Sequence, residues 1–293
     1  MAGSWRFEAI GTVWTIDTEA NLAPATQQAV TACIDEFDQA WSRFRPDSLV
    51  SIARESGAPV DVPASSARLR DLFQQLAEVT DGALSAAVGG QLEALGYDAE
   101  YSLGRTPAVD APLRTDLGTI VRWDDRILQV APGTLLDVGA VGKGLLVDLV
   151  ATVLFEHGHR SYTVDAGGDL AIAGRTERVA LEDPSDPSLA IGVIEVRDRA
   201  IAASATNRRR WTTADGREVH HVLDARTGLP VTDVLATWAI APDAASADAL
   251  ASALFFCSAI ELPQRWGGEV ECARLLPGNL IEYSPGFREA WLL

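Results

Sequence analysis

The sequence predicts an α+β fold, a single compact domain in which a largely antiparallel sheet is flanked by helices. Three observations lead there. Helical and strand periodicities follow one another in mixed order rather than in strict β-α-β alternation. The middle of the chain carries short strand-like runs at hairpin spacing. No Pro/Ser/Gly-rich linker and no short-period repeat divides the 293 residues, and 47% of them are hydrophobic, enough to bury a sizeable core.

The elements follow in order. Residues 6–17 alternate apolar and polar around Gly11-Thr12 and read as a strand. Residues 24–44 read as a helix, with Val30, Cys33, Ile34, Phe37, Trp41 and Phe44 on one apolar face. A second helix covers 65–79 through Leu69, Leu72, Phe73 and Leu76, and Asp81-Gly82 stops it. Residues 83–126 show no clear period. Strands are expected at 127–131 and 135–138, separated by the turn Pro132-Gly133. Glycines at 139, 142 and 144 lead into a helix over about 144–157, which Gly158 ends. Strand-like runs fill 161–165, 170–173, 191–196, 200–204, 219–223 and 235–241, and an alanine-rich helix covers 245–258 with Ser246 near its start.

Composition excludes some function classes. A formal net charge of −17 argues against non-specific binding of nucleic acid, which needs basic side chains against phosphate. It leaves room for a small phosphate ligand held by backbone N–H groups and one lysine. The three cysteines, Cys33, Cys257 and Cys272, are too widely spaced for a disulfide framework or a zinc site, and read as buried free thiols in a reducing compartment. The start of the chain has no long apolar run and no run of about 20 apolar residues occurs anywhere, so neither signal peptide, lipid anchor nor membrane span is expected, and the expected location is cytoplasmic.

Four segments have the residue types for chemistry. Asp137 to Gly144 places glycines and Lys143 ahead of a helix, which suits a phosphate or pyrophosphate, or else is an ordinary strand-to-helix turn with a solvated lysine. It lacks P-loop spacing. His221 to Gly228 holds His221, Asp224 and Arg226 about a strand end; His221 suits proton relay, and Arg226 either binds phosphate or forks onto Asp224. His220, alternating with His221, faces the other way and has no role. Asp248 and Ser252 lie four apart on one helix face and offer hard oxygen ligands for Mg²⁺, or else form part of a capped, acidic first turn. Val164 to Leu170 pairs Gly167-Gly168 with Asp165 and Asp169, for a metal or as turn caps. The run Arg208 to Arg210 is a solvated face or a phosphate or partner contact.

Order and spacing together resemble the FAD:protein FMN transferases, the ApbE family, across most of the chain. Gly11-Thr12 resembles the family's opening Gly-Thr, and Trp41 to Ser51 its S-x-F/Y-x-x-x-S helix exit. Asp137 to Asp148 resembles D-x-G-x-x-x-K-G-x-x-x-D, and Val164 to Asp169 resembles N-x-G-G-D with Asp165 for Asn. Glu182-Asp183-Pro184 is similar to a family loop, and Ala202 to Ala205 is loosely similar to T-S-G. His221 to Gly228 resembles H-x-I/L-D-P-R/K-T-G with Ala225 for Pro. Ala247 to Leu254 resembles A-D-A-L-A-T-A-L with Ser252 for Thr. Leu84 to Ala87 departs from the family's Phe-Asp-x-Thr/Val, and Leu145 replaces a common Tyr.

The resemblance implies a domain that binds FAD as donor and Mg²⁺. The metal ligands it implies are Ala140, through its carbonyl, Asp248 and Ser252. FAD contacts are implied at Phe44, Leu84, Ser85, Asp137, Lys143 and Val222, and at Ile10. His221 and Asp248 are the implied catalytic residues. The implied activity moves FMN from FAD onto a Ser/Thr of an acceptor flavoprotein carrying a flavinylation motif, and releases AMP. Two alternatives stay open: an FAD pyrophosphatase yielding FMN and AMP, and an FAD-binding protein that has lost transfer.

Overall fold

The computed structural model describes residues 3–103 and 117–292, so part of the unreadable stretch 83–126, residues 104–116, lies outside the described residues. The chain forms two compact units. One comprises Met1–Glu36, Val141–Ala205 and Asp233–Leu293; the other comprises Phe37–Ala140 and Thr206–Thr232.

The first unit is built on an eight-stranded sheet in the order Gly3–Ala9, Thr12–Thr18, Tyr162–Asp165, Asp169–Ala173, Ala200–Ala205, Ala236–Ala241, Glu271–Leu276 and Leu280–Tyr283. Every neighbouring pair is antiparallel, as the sequence predicts. The strand Ala236–Ala241 is buried at all its positions, which explains its unbroken small and apolar sequence: both sheet faces are covered. On one face, Trp238, Ile240 and Ile201 pack with Leu181, Ile194 and Phe287 in a core shared with a three-stranded sheet formed by Thr176–Asp183, Asp186–Arg197 and Trp291–Leu292. On the other, Thr237 Oγ1 donates to Ala251 O at 2.7 Å, fastening the sheet to the helix Ala244–Ala253. That helix packs beside the helix Gly142–Glu156, which is apolar almost all round because it too is enclosed.

The second unit holds the helices Leu49–Ser56 and Ser66–Val79, a three-stranded sheet of Val60–Asp61, Ile127–Val130 and Val121–Trp123, and two hairpins, Arg210–Thr212 with Glu218–His220 and Leu223–Asp224 with Leu229–Pro230. Its second core gathers Leu92, Leu95, Tyr97, Trp211, Val219 and Leu223, with Phe44 against them. Trp211 Nε1 donates to Leu95 O at 2.8 Å, so the indole is buried with its one donor satisfied.

Several expectations are corrected. The strand over 6–17 is a hairpin: Ile10 (φ 43°) and Gly11 (φ 73°) are both left-handed and make its two-residue loop. The first helix is Pro24–Trp41 and leaves Phe44 outside, where a turn ahead of Pro46 sends it into the second core. Residues 135–138 pair with no strand; Asp137 N instead donates to Ala86 O at 2.7 Å. The helix expected from residue 144 begins at Gly142. The strand at 219–223 breaks at His221, because Val222 N bonds to His220 Nδ1 at 3.2 Å rather than to a neighbouring strand. The alanine-rich helix ends at Ala253, and its N-cap is Asp243, whose side chain accepts from Ser246 N. Strands at 176–183, 271–276 and 280–283 and a helix at 49–56 were not expected. Cys257 and Cys272 are buried free thiols, whereas Cys33 is only half-buried; burial still pushes its thiol up to about 11. Among the described residues no helix is long and apolar enough to cross a membrane.

Candidate functional site

In the first unit, two helices and one strand meet at a buried charge cluster. Gly144 opens the contact. A Cβ there would collide with Ala244 O and come within 2.6 Å of Asp248 Cβ, so only glycine lets the two helices approach this closely. The same approach lets Gly144 N donate to Asp248 Oδ2 at 2.9 Å. One turn further along, Asp148 accepts from Ala244 N and Ala245 N, each at 2.8 Å, and so clamps the start of the partner helix with a carboxylate suited to its dipole. Lys143 Nζ reaches Asp169 Oδ2 at 2.9 Å as an ion pair, while the Asp169 oxygens have no directed hydrogen bond of their own.

Asp169 and Asp248 are 1% and 6% exposed, so water cannot carry their charge. Burial first, and then the Asp169 carboxylate beside it, raises the Asp248 carboxyl well above the usual range. Burial also raises Asp169, against the pull of Lys143. Burial works to lower the Lys143 ammonium, but Asp169 and Asp248 hold it above its ordinary value. Two facing buried carboxyl groups share one lysine, an arrangement completed by a proton or by a cation. Ser252 lies one turn beyond Asp248 on the same helix. Hard oxygens around a charge deficit fit a divalent cation such as Mg²⁺. Among the described residues no three His, Cys, Asp or Glu side chains cluster as ligands, because the third partner here is Lys143.

Nearby in this unit, Asp165 caps its own turn by accepting from Gly167 N and Gly168 N at 2.8 and 3.1 Å. Gly167 (φ 71°) leaves no room for a Cβ against Thr12, so the Gly-Thr of the first hairpin and the paired glycines form one close contact. Ile10, half-buried, stands at that hairpin's tip.

In the second unit, three distant segments are stitched by backbone bonds: Asp137 N donates to Ala86 O at 2.7 Å, and Ala225 N donates to Ala83 O at 2.9 Å. Leu84 and Ser85 between them are buried, and Ser85 Oγ accepts from Ala87 N at 3.2 Å. Asp137 Oδ1 accepts from Gly139 N at 2.7 Å and Oδ2 from Arg43 Nε at 2.5 Å, which fixes the turn carrying Ala140. His221 is half-buried, with Nδ1 enclosed and unpartnered. Burial, then the nearby Arg209 charge, pushes its imidazole down to about 4, so the ring is neutral at pH 7. His220 turns away, with Nε2 2.7 Å from Val231 O. Asp224 and Arg226 form a two-point fork (2.9 and 2.6 Å), which selects the structural reading of that pair.

The ApbE family profile matches residues 10–269. The chain belongs to the ApbE family. It is 29% identical over 268 residues to the FAD:protein FMN transferase of Rhodobacter capsulatus, covering 85% of this chain and half of that protein. It is 30% identical over 260 residues to the one from Treponema pallidum, covering 79% of this chain and 71% of that protein. Among solved structures, the ApbE protein from Thermotoga maritima superposes with a TM-score of 0.83 over all of both chains at 25% identity. The apo flavinyl transferase ApbE from Pseudomonas stutzeri shares the fold, with a TM-score of 0.79 at 22% identity over 99% of this chain and 97% of that one.

Of the ApbE site residues read from sequence, Lys143 and Asp248 lie in one cluster of the first unit, with Ser252 a turn away and Ile10 at the hairpin tip. Phe44, Leu84, Ser85, Asp137, Ala140, His221 and Val222 all belong to the second unit. Two contributors escaped the sequence reading as site residues, Asp148 and Arg43, whereas Asp169 stands there as a candidate for a metal or a turn cap. Asp169 was visible as an acid beside paired glycines, and Asp148 as an acid at i+4 from Gly144. Arg43 gave no signal, because it is one of three charged residues, with Arg45 and Asp47, in the turn after the helix Pro24–Trp41.

Proposed function

We propose that this chain is a Mg²⁺-dependent FAD:protein FMN transferase, which moves FMN onto a Ser or Thr hydroxyl of an acceptor flavoprotein and releases AMP. The observation that carries the reading is the buried Lys143–Asp169–Asp248 cluster, held at a glycine-mediated helix crossing in a member of this family. Asp248, Ser252 and the Ala140 carbonyl are the residues assigned to the metal, whose bound charge would offset the anion that develops when a pyrophosphate is cleaved. Lys143 adds a positive charge, and Asp169 keeps that ammonium protonated and aimed.

The reaction exchanges one P–O bond for another. The acceptor hydroxyl oxygen bonds to the FMN-side phosphorus, the bond from that phosphorus to the bridging oxygen breaks, and AMP departs with the bridging oxygen. The hydroxyl proton goes to His221 Nδ1, which is neutral and unpartnered in the free protein. We assign the FAD contacts to Phe44, Leu84, Ser85, Asp137, Lys143, Val222 and Ile10, and take the two units to work as one catalytic domain.

The test is incubation with FAD, Mg²⁺ and a Thr-containing acceptor, with chromatography for AMP and mass spectrometry for the flavinylated acceptor, beside Asp248→Ala. AMP and adduct that require both metal and Asp248 support transfer. AMP and free FMN at a rate no acceptor improves would mean pyrophosphatase, and bound but intact FAD would mean a binding protein.

A further inference from the structure

Tyr97 carries two guanidinium groups. Arg43 Cζ lies 4.7 Å from the ring centroid and Arg209 Cζ lies 5.4 Å from it. Tyr97 is itself buried, and placing two like charges on one buried ring is unfavourable unless something negative joins them. Arg43 is only partly compensated. Its side chain is 2% exposed, its Nε is spent on Asp137 and its Nη1 donates to Tyr97 O at 2.7 Å. Its Nη2 is buried with no partner. Arg209 has no carboxylate beside it among the described residues; the neighbouring charge it feels is Arg43, and burial with that repulsion pushes its guanidinium down. This holds in a chain of net charge −17, where carboxylates to pair with arginine are plentiful. Arg210, next in sequence, differs: it is paired with Glu218. His221 Nδ1, beside Arg209, is a second enclosed polar atom without a partner.

We propose that Arg43 and Arg209, mounted on Tyr97 within the second unit and bordered by His221, form a binding pocket for a phosphate group. Guanidinium is suited to that ligand, since its planar donors match phosphate oxygens and it stacks on aromatic rings without losing its charge. Phe44, 4.2 Å from Arg43 Cζ and stacked on Tyr101 at 5.3 Å, adds a flat apolar wall where a planar base or flavin ring attached to that phosphate can lie. Two sources share this chemistry: the adenylate phosphate and the flavin phosphate. The choice between them rests on the FAD reading above; the pocket does not.

Calorimetric titration of the full chain with inorganic phosphate, AMP and FMN, and with adenosine and riboflavin as uncharged controls, tests it. Arg209→Gln is expected to weaken at least one phosphate ester about ten- to a hundredfold while leaving its uncharged counterpart unchanged. Arg209→Lys should restore part of the loss. Weakening of AMP alone assigns the adenylate phosphate, and weakening of FMN alone assigns the flavin phosphate. Equal affinities in wild type and a folded Arg209→Gln, or loss of adenosine and riboflavin in parallel with the esters, overturns the pocket, as does failure of all three phosphates to bind wild type. Phosphate binding that depends on Arg209 in a protein that never cleaves FAD would keep the pocket and remove the transferase reading.

Discussion

The two units hold charge in opposite ways. In the first, negative groups are buried in excess around one lysine, and steric contact dictates their placement: Gly144 has no room for a methyl, and Asp148 pins the facing helix. In the second, positive groups are in excess on an aromatic platform, and one of them, Arg209, is anchored by no ion pair among the described residues. The first carries an excess of buried negative charge and the second an excess of positive charge on a buried ring. Under the proposed function each kind has a role, and the contrast ranks the substitutions from the most to the least damaging.

The sharpest way to break the first site is Asp248→Asn, which removes the charge of the proposed metal ligand and, under the proposed function, should slow metal-dependent AMP release by roughly a thousandfold or more. The measurement is single-turnover chromatography at saturating FAD. Next comes His221→Gln, expected to lower the rate of transfer to an acceptor at saturating FAD by about 10²–10⁴-fold. Its pH behaviour sharpens the comparison. The folded value of about 4 lies below the ordinary 6.5, so the fold favours the neutral ring. That contribution to stability is complete above the unfolded value and is lost as pH falls through about 4. An NMR titration of the free protein should place the His221 midpoint near 4, and a midpoint above 6 would remove the enclosed-ring picture.

Gly144→Ala should destabilise the protein by about 1–3 kcal/mol, because its Cβ meets backbone rather than a yielding side chain. Thermal melts would read the loss, and metal affinity should fall with it. Asp148→Asn keeps the shape but weakens the clamp, with an expected loss of about 1 kcal/mol. The smallest effect is expected from Arg226→Lys: the fork with Asp224 is half-exposed, and its loss should lie below about 1 kcal/mol with no change in turnover.

The sequence by itself determined the local and the periodic. The antiparallel α+β architecture, the helix of Leu69, Leu72, Phe73 and Leu76, and the shared face of Asp248 and Ser252 all follow from spacing, because side-chain direction repeats with backbone period. The ordered motifs around Lys143, His221 and Asp248 also pointed to the family. Where one residue changed the outcome, the pattern misled: two left-handed residues at Ile10-Gly11 turned a strand into a hairpin, and Phe44, in step with the helix Pro24–Trp41, serves another core. Only the tertiary structure decided which charges meet. Lys143 and Asp169 are brought together by the helix Gly142–Glu156 lying on the strand that Asp169 begins, and Arg43 and Arg209 share a ring through the packing of Tyr97 with Trp211. Those encounters depend on sheet register and on a helix contact as close as a missing Cβ allows. Neither leaves a period in the chain, so no reading of spacing could have placed two buried carboxyl groups beside one lysine, or two guanidinium groups on one ring.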